Sequence, residues 1–190
     1  SSVDNIQIQR GVGTSTNGAG AFGGSLNIQT TTRRDSAYAE LNNTYGSYNT
    51  WKNTVSVGSG LIANKFTFDG RLSRIKSDGY VDRASSNLKS FFVSGAYYGK
   101  KDILRANVFS GTEKTYQAWN GVDEETLKTD RTHNDFTYDN QTDNYQQDHY
   151  QLFYTRNITN QLVANAALHY TYGRGYYEEY KPGASYGDYG

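Results

Sequence analysis

The chain has 190 residues, 19 of them basic and 19 acidic, so its formal net charge is zero. That balance argues against a nucleic-acid binder, which would show a basic excess or a clustered basic face. The absence of Cys excludes disulfides, thiol catalysis and Cys-based zinc sites.

Aromatics make up 15% of the chain, and 18 of them are Tyr. Mean hydropathy is -0.82. Leu, Ile and Val are sparse beside Tyr, Asn, Thr, Ser and Gly, unlike a soluble domain with a concentrated aliphatic core. Two classes fit: a polar all-β surface protein, or a barrel that is apolar on one face and polar on the other. No run approaches the roughly 18 apolar residues of a membrane helix, which leaves a barrel possible because its strands are short and alternate.

Residues 1–32 open with a short alternating segment, Val3 to Ile8. A Gly/Ser/Thr/Asn/Ala stretch follows from Val12 to Gly24, and Ser25 to Thr30 alternates again. The reading is strand, glycine-rich loop, strand. From Ala37 onward, seven strands are expected: Ala37–Tyr45, Trp51–Leu61, Lys65–Lys76, Leu88–Tyr98, Ile103–Lys114, Gln147–Asn157 and Leu162–Tyr172. Their faces separate cleanly in places. Leu162, Ala164, Ala166, Leu168, Tyr170 and Tyr172 oppose Val163, Asn165, Ala167, His169 and Thr171. Phe66, Phe68 and Leu72 likewise oppose Lys65, Thr67, Asp69 and Arg71. Short links (62–64, 99–102, 158–161) alternate with long polar ones (77–87, 115–146). This is the pattern of an up-and-down membrane barrel with short turns on one side and long loops on the other. The 46–50 hairpin is the exception, a short link on the long-loop side. Tyr pairs at strand ends suit either a headgroup belt or cross-strand pairing on a soluble sheet.

The segment from Ile6 to Ile28 carries the most specific signal. Arg10-Gly11, a small-residue loop with Gly18-Ala19-Gly20, the pair Gly23-Gly24 and an apolar-Asn-apolar strand at Leu26-Asn27-Ile28 occur in order. This resembles the end of the plug domain of TonB-dependent outer-membrane receptors, in a variant similar to those of Bacteroidetes. Val12 stands where many members carry Pro, and Asn17 where many carry Tyr or Phe. The resemblance implies that residues 1–32 are the C-terminal part of a plug and 33–190 the first part of a transmembrane antiparallel β-barrel. It makes Arg10, Gly11, Gly18, Gly20, Gly23, Gly24 and Asn27 a structural motif, with Arg10 fixing plug geometry or pairing with acids of the barrel wall. Gly18, Gly20 and Gly23 also spell Gly-x-Gly-x-x-Gly. A strand follows instead of the helix that a dinucleotide site needs, so that reading is set aside.

No nucleophile–base pattern marks an enzyme. The three His residues, His133, His149 and His169, lack metal-site spacing, and no cofactor or metal is expected. The 115–146 loop interleaves acids with Trp119, His133, Tyr138 and Tyr145. These residues, with His169 on a polar strand face, are the candidates for touching a ligand; the alternative is a solvated loop. The expected role is TonB-energised import of a scarce solute across the outer membrane of a Gram-negative bacterium. The solute is a ferric siderophore or other iron complex, or else cobalamin, haem or a glycan. The partners are the TonB complex, outer-membrane lipid and the metal chelate. A passive channel, an adhesin or a soluble β-sandwich are the competing classes, and the plug-like segment speaks against a simple channel. Seven strands are too few to close a barrel of about 22 around a plugged lumen, and an open edge in lipid leaves backbone groups unsatisfied. The chain is therefore expected to be one part of a larger barrel.

Overall fold

The computed structural model describes residues 5–11, 22–29 and 33–189. Strands β1 (Asn5–Arg10) and β2 (Gly24–Gln29) pair as an antiparallel hairpin of their own. The other seven strands form one antiparallel sheet in strict sequence order. They are β3 (Tyr38–Gly46), β4 (Thr50–Gly58), β5 (Phe66–Ser77), β6 (Ser86–Tyr98), β7 (Asp102–Tyr116), β8 (Thr142–Asn157) and β9 (Val163–Tyr177). One short helix, α1 (Glu124–Thr129), lies between β7 and β8, and a 3-10 turn (Tyr186–Tyr189) follows β9.

Every expected strand is present, and the fold class read from the sequence holds. The ends differ where alternation is a poor guide. β4 stops at Gly58, because Leu61 turns to donate its N–H to the Asp35 carbonyl at 2.9 Å. β8 starts at Thr142, not Gln147, and β9 runs on to Tyr177, not Tyr172. The extensions, Thr142–Gln146 and Gly173–Tyr177, lack apolar–polar alternation, so only the backbone ladder reveals the strand.

The turns follow from backbone chirality. In Ser47–Thr50 the residues Tyr48 and Asn49 both have positive φ, as do Ala63 and Asn64 in Ile62–Lys65. Each turn closes with a hydrogen bond, Thr50 N–H to Ser47 O at 3.2 Å and Lys65 N–H to Ile62 O at 2.9 Å. Two consecutive left-handed residues make a type I′ turn, whose twist matches that of paired strands. In the β1–β2 hairpin, Gly11 is left-handed (φ 80°) and its N–H reaches Gly23 O at 3.2 Å. A side chain on Gly24 would meet Gln9 O at 2.9 Å. Of the motif glycines, Gly24 thus lets two backbones meet closely and Gly11 supplies the left-handed turn, whereas a side chain at Gly23 would meet nothing within 4 Å. Gly18 and Gly20 lie outside the described residues. Arg10 pairs with Gly24, Asn27 with Gln7, and the Arg10 side chain is exposed.

The sheet's two faces differ in chemistry and in exposure. Thr54, Ser56, Thr67, Ser94 and Asn107 are buried on one face. On the other, Val55, Phe68, Leu72, Val93, Leu152 and Leu168 are 40–70% exposed. A curled sheet crowds side chains in its hollow and spreads them on its back. The small polar residues therefore line the inward face and the apolar ones cover the outward face. Registered rows such as Gly70, Val93, Val108, Tyr150 and Tyr170 extend the outward band across the sheet. About four such rows, at roughly 6.6 Å each, match the ~25 Å apolar band of a membrane barrel.

Candidate ligand-facing wall and loop body

The inward wall is polar but crossed by one aromatic ladder. Phe92, Phe109 and His149 are registered partners on β6, β7 and β8. Their ring centroids stand 6.0 and 4.4 Å apart, the second pair stacked. His149 Nδ1 lies 3.0 Å from Thr171 Oγ1, which carries the ladder onto β9. Below it, Asn107 donates its amide to Gln151 Oε1 at 3.2 Å, and the buried Asn107 Oδ1 has no partner among the described residues. Arg71 donates to Ser56 Oγ at 3.2 Å. These groups offer donors, acceptors and a flat ring edge to anything filling the hollow.

Beyond the long-loop end of the sheet, residues 78–85, 117–141 and 178–180 fold into a separate polar body. At its centre are three buried amides, Gln117, Asn134 and Gln141. Asn134 donates to Asp82 O (2.8 Å) and Gln117 O (3.2 Å) and accepts from Phe136 N–H (3.1 Å). Gln117 N–H reaches Gln141 O at 2.9 Å, and its side chain donates to Glu178 O at 3.2 Å. Arg83 donates to Phe136 O at 2.8 Å and Asn134 O at 2.9 Å. Tyr116 donates its hydroxyl to Tyr138 O at 2.7 Å. Burying amides is tolerable only when they are bonded, and here they bond segments far apart in sequence. The 115–146 loop therefore has a hydrogen-bonded centre beneath a surface that is mostly exposed to solvent.

Two carboxylates shape that body. Asp123 caps α1, accepting from Thr126 N–H at 2.9 Å and Thr126 Oγ1 at 2.9 Å, and these bonds hold its carboxyl below the usual carboxylate range. Asp130 is lowered chiefly by Thr132 N–H, with the Thr132 hydroxyl and His133 assisting.

The expected ligand residues do not converge on one point. Trp119 is exposed and packs near Tyr177 at 6.5 Å. Tyr138 packs on Tyr180 at 5.7 Å. His133 sits between Asp130 (3.5 Å) and Asp135 (2.9 Å), which meet opposite ring nitrogens. Those three belong to the loop body. Tyr145 lies on the inward face of β8, its ring against Gly173 and Gly175, where an added side chain would come within 2.5–2.7 Å. It lines a cavity of about 360 Å³ with Ile75, Leu88, Glu113 and Gln147. His169 is on the same face opposite Gln151, six residues below Gly175, or roughly 20 Å along the strand. No group of three or more His, Asp or Glu able to hold a metal exists among the described residues. The Phe92–Phe109–His149 ladder and the buried amides escaped sequence reading. Alternation places Phe92, Phe109 and His149 on the polar face singly, but only register aligns them.

Neither a family model nor a curated protein matches the sequence. Solved structures do match in fold. The ferric-catecholate import receptor Fiu from E. coli K12, in its open form, matches with a TM-score of 0.78 at 16% identity over 92% of this chain. Its closed form matches at 0.74 and 17% identity. BauA, the ferric preacinetobactin receptor from Acinetobacter baumannii, matches at 0.74, 19% identity and 90% coverage. The chain spans 29% of the length of the first and 26% of each of the others. Its fold is that of a segment of a TonB-dependent receptor, as the Arg10–Ile28 motif leads one to expect.

Proposed function

We propose that this chain is part of a TonB-dependent receptor that imports a ferric chelate across the outer membrane. In this reading residues 1–32 end the plug and residues 33–190 begin the barrel. The observation that carries it is a plug-like hairpin followed by a seven-stranded meander that is apolar outside and polar inside. Its support is the fold shared with two ferric-chelate receptors. The chemistry required of the chain is modest: the loop body and upper inward wall present Tyr, Trp and amide groups to a solute, and no bond is made or broken. TonB acts through the plug, and the barrel wall holds the plug until it is pulled.

The test is uptake of a radioiron-labelled chelate by cells that carry or lack the gene, grown without iron. Deletion is expected to abolish uptake of at least one chelate, and loss of TonB to do the same. Unchanged uptake of catecholate, hydroxamate and citrate chelates in the deletion strain would remove iron from the proposal.

A further inference from the structure

The outward face changes character just above its apolar rows. One registered row there reads Asn53, Arg74, Lys89, Thr112, Gln146 and Arg174 across β4 to β9. The next row towards the long loops adds Lys76 and Lys114. These two rows hold five cations and no acid, in a chain whose basic and acidic residues are equal in number. Among the described residues only Arg174 is neutralised, by Asp148 from the row below at 2.8 Å. Arg74 meets an amide oxygen, Asn87 Oδ1 at 3.3 Å, and Lys114 another, Asn140 Oδ1 at 3.3 Å. Lys76 and Lys89 make no ion pair among the described residues. Four acids of the loop body are turned to other partners: Glu124 and Glu125 to Lys128, Asp130 and Asp135 to His133.

Arg74 and Lys89 are direct cross-strand partners. Like charges so placed weaken a sheet unless an anion lies between them. Beneath the pair is an outward groove of about 580 Å³, with Val55, Leu72 and Phe91 along its floor and Arg74 and Lys89 on its rim. An apolar floor under a cationic rim complements an amphiphile with an anionic head. Two cations a strand apart suit phosphate oxygens, which accept several charge-assisted hydrogen bonds at once.

We infer that this groove binds the phosphate-bearing headgroup of a lipid in the leaflet nearest the long loops, with an acyl chain lying on Val55, Leu72 and Phe91. The site rests on the reading of the sheet as a membrane barrel. It adds to that reading a fixed lipid on one stretch of the wall, set apart from the import path on the inward face.

The experiment uses the intact protein that carries this chain, extracted from native membranes into dodecyl maltoside. Extraction is read first: release without detergent would sink the barrel reading itself. The melting temperature is then followed as monododecyl phosphate is added to the micelles. Because a ligand that binds only the folded state raises its stability, an upward shift of roughly 2–4 °C is expected. The double variant Arg74→Gln/Lys89→Gln is expected to lose that shift, while Lys100→Gln/Lys101→Gln at the opposite end of the strands keeps it. Should the double variant fail to fold, Lys89→Gln alone is to lose at least half of the shift. An equal shift with inorganic phosphate, or a full shift in the Arg74/Lys89 variant, would overturn the lipid site. So would no shift at all in a protein that does require detergent.

Discussion

Asn134 has all its side-chain polar groups engaged and joins the 78–85 loop to the start and middle of the 117–141 loop. Asn134→Ala removes one side of three hydrogen bonds, the one to the Gln117 carbonyl being buried. A loss of about 2 kcal/mol is expected, read by denaturant unfolding, with faster amide exchange in both loops. Asp123 and Asp130 predict how the same body responds to acid. Both carboxyls titrate below their ordinary range in the folded protein. Their contribution is therefore complete above that range and is lost as pH falls through the lower folded values. Amide exchange at Thr126 and Thr132 is expected to accelerate on that acid side beyond its ordinary pH trend, and Asp130→Asn to remove the excess at Thr132. An excess unchanged in Asp130→Asn would refute the assignment. None of this was legible as sequence: Gln117, Asn134 and Gln141 look like ordinary polar loop residues, and what they bond lies up to 61 positions away.

Elements were legible wherever alternation was clean. β5, β7 and β9 show apolar and polar residues largely in turn over their middle stretches (66–72, 104–108 and 164–172), and their faces fall where the pattern puts them. His169 accordingly lies on the polar inward face, opposite Gln151. The first hairpin is harder to read because β3 alternates poorly, with Asn42 and Asn43 adjacent. The I′ turn at Tyr48-Asn49 has no Gly to announce it. Cross-strand contacts are a further step removed, since a one-residue slip sends every side chain to the opposite face. The Phe92–Phe109–His149 ladder exists only in the realised register. Phe109→Ala takes out its middle ring and is expected to cost about 1–3 kcal/mol, seen as a lower urea midpoint. Phe109→Leu is expected to recover part of that, because apolar contact returns without the stacked ring.

At the scale of the whole molecule, the faces themselves are the prediction. Val93 lies in the middle of the outward apolar band, between Gly70 and Val108, and Thr171 on the inward wall beside His149. Val93→Arg is expected to destabilise the barrel by about 2–4 kcal/mol in reversible folding into lipid vesicles, and Thr171→Arg by far less. The opposite order would invert the assignment of inside and outside. The sequence by itself determined the class of architecture. Strand alternation, short and long links in turn, and the Arg10–Ile28 motif are all local patterns, readable within a few residues of each other. Tertiary structure alone decided which strands' residues meet. It packed three distant loops into one body, aligned the inward rings, and gathered Arg74, Lys76, Lys89, Lys114 and Arg174 into a cationic border. The physical reason is register: strand pairing joins residues tens of positions apart, and a sequence records each strand's own alternation but not its alignment with the next.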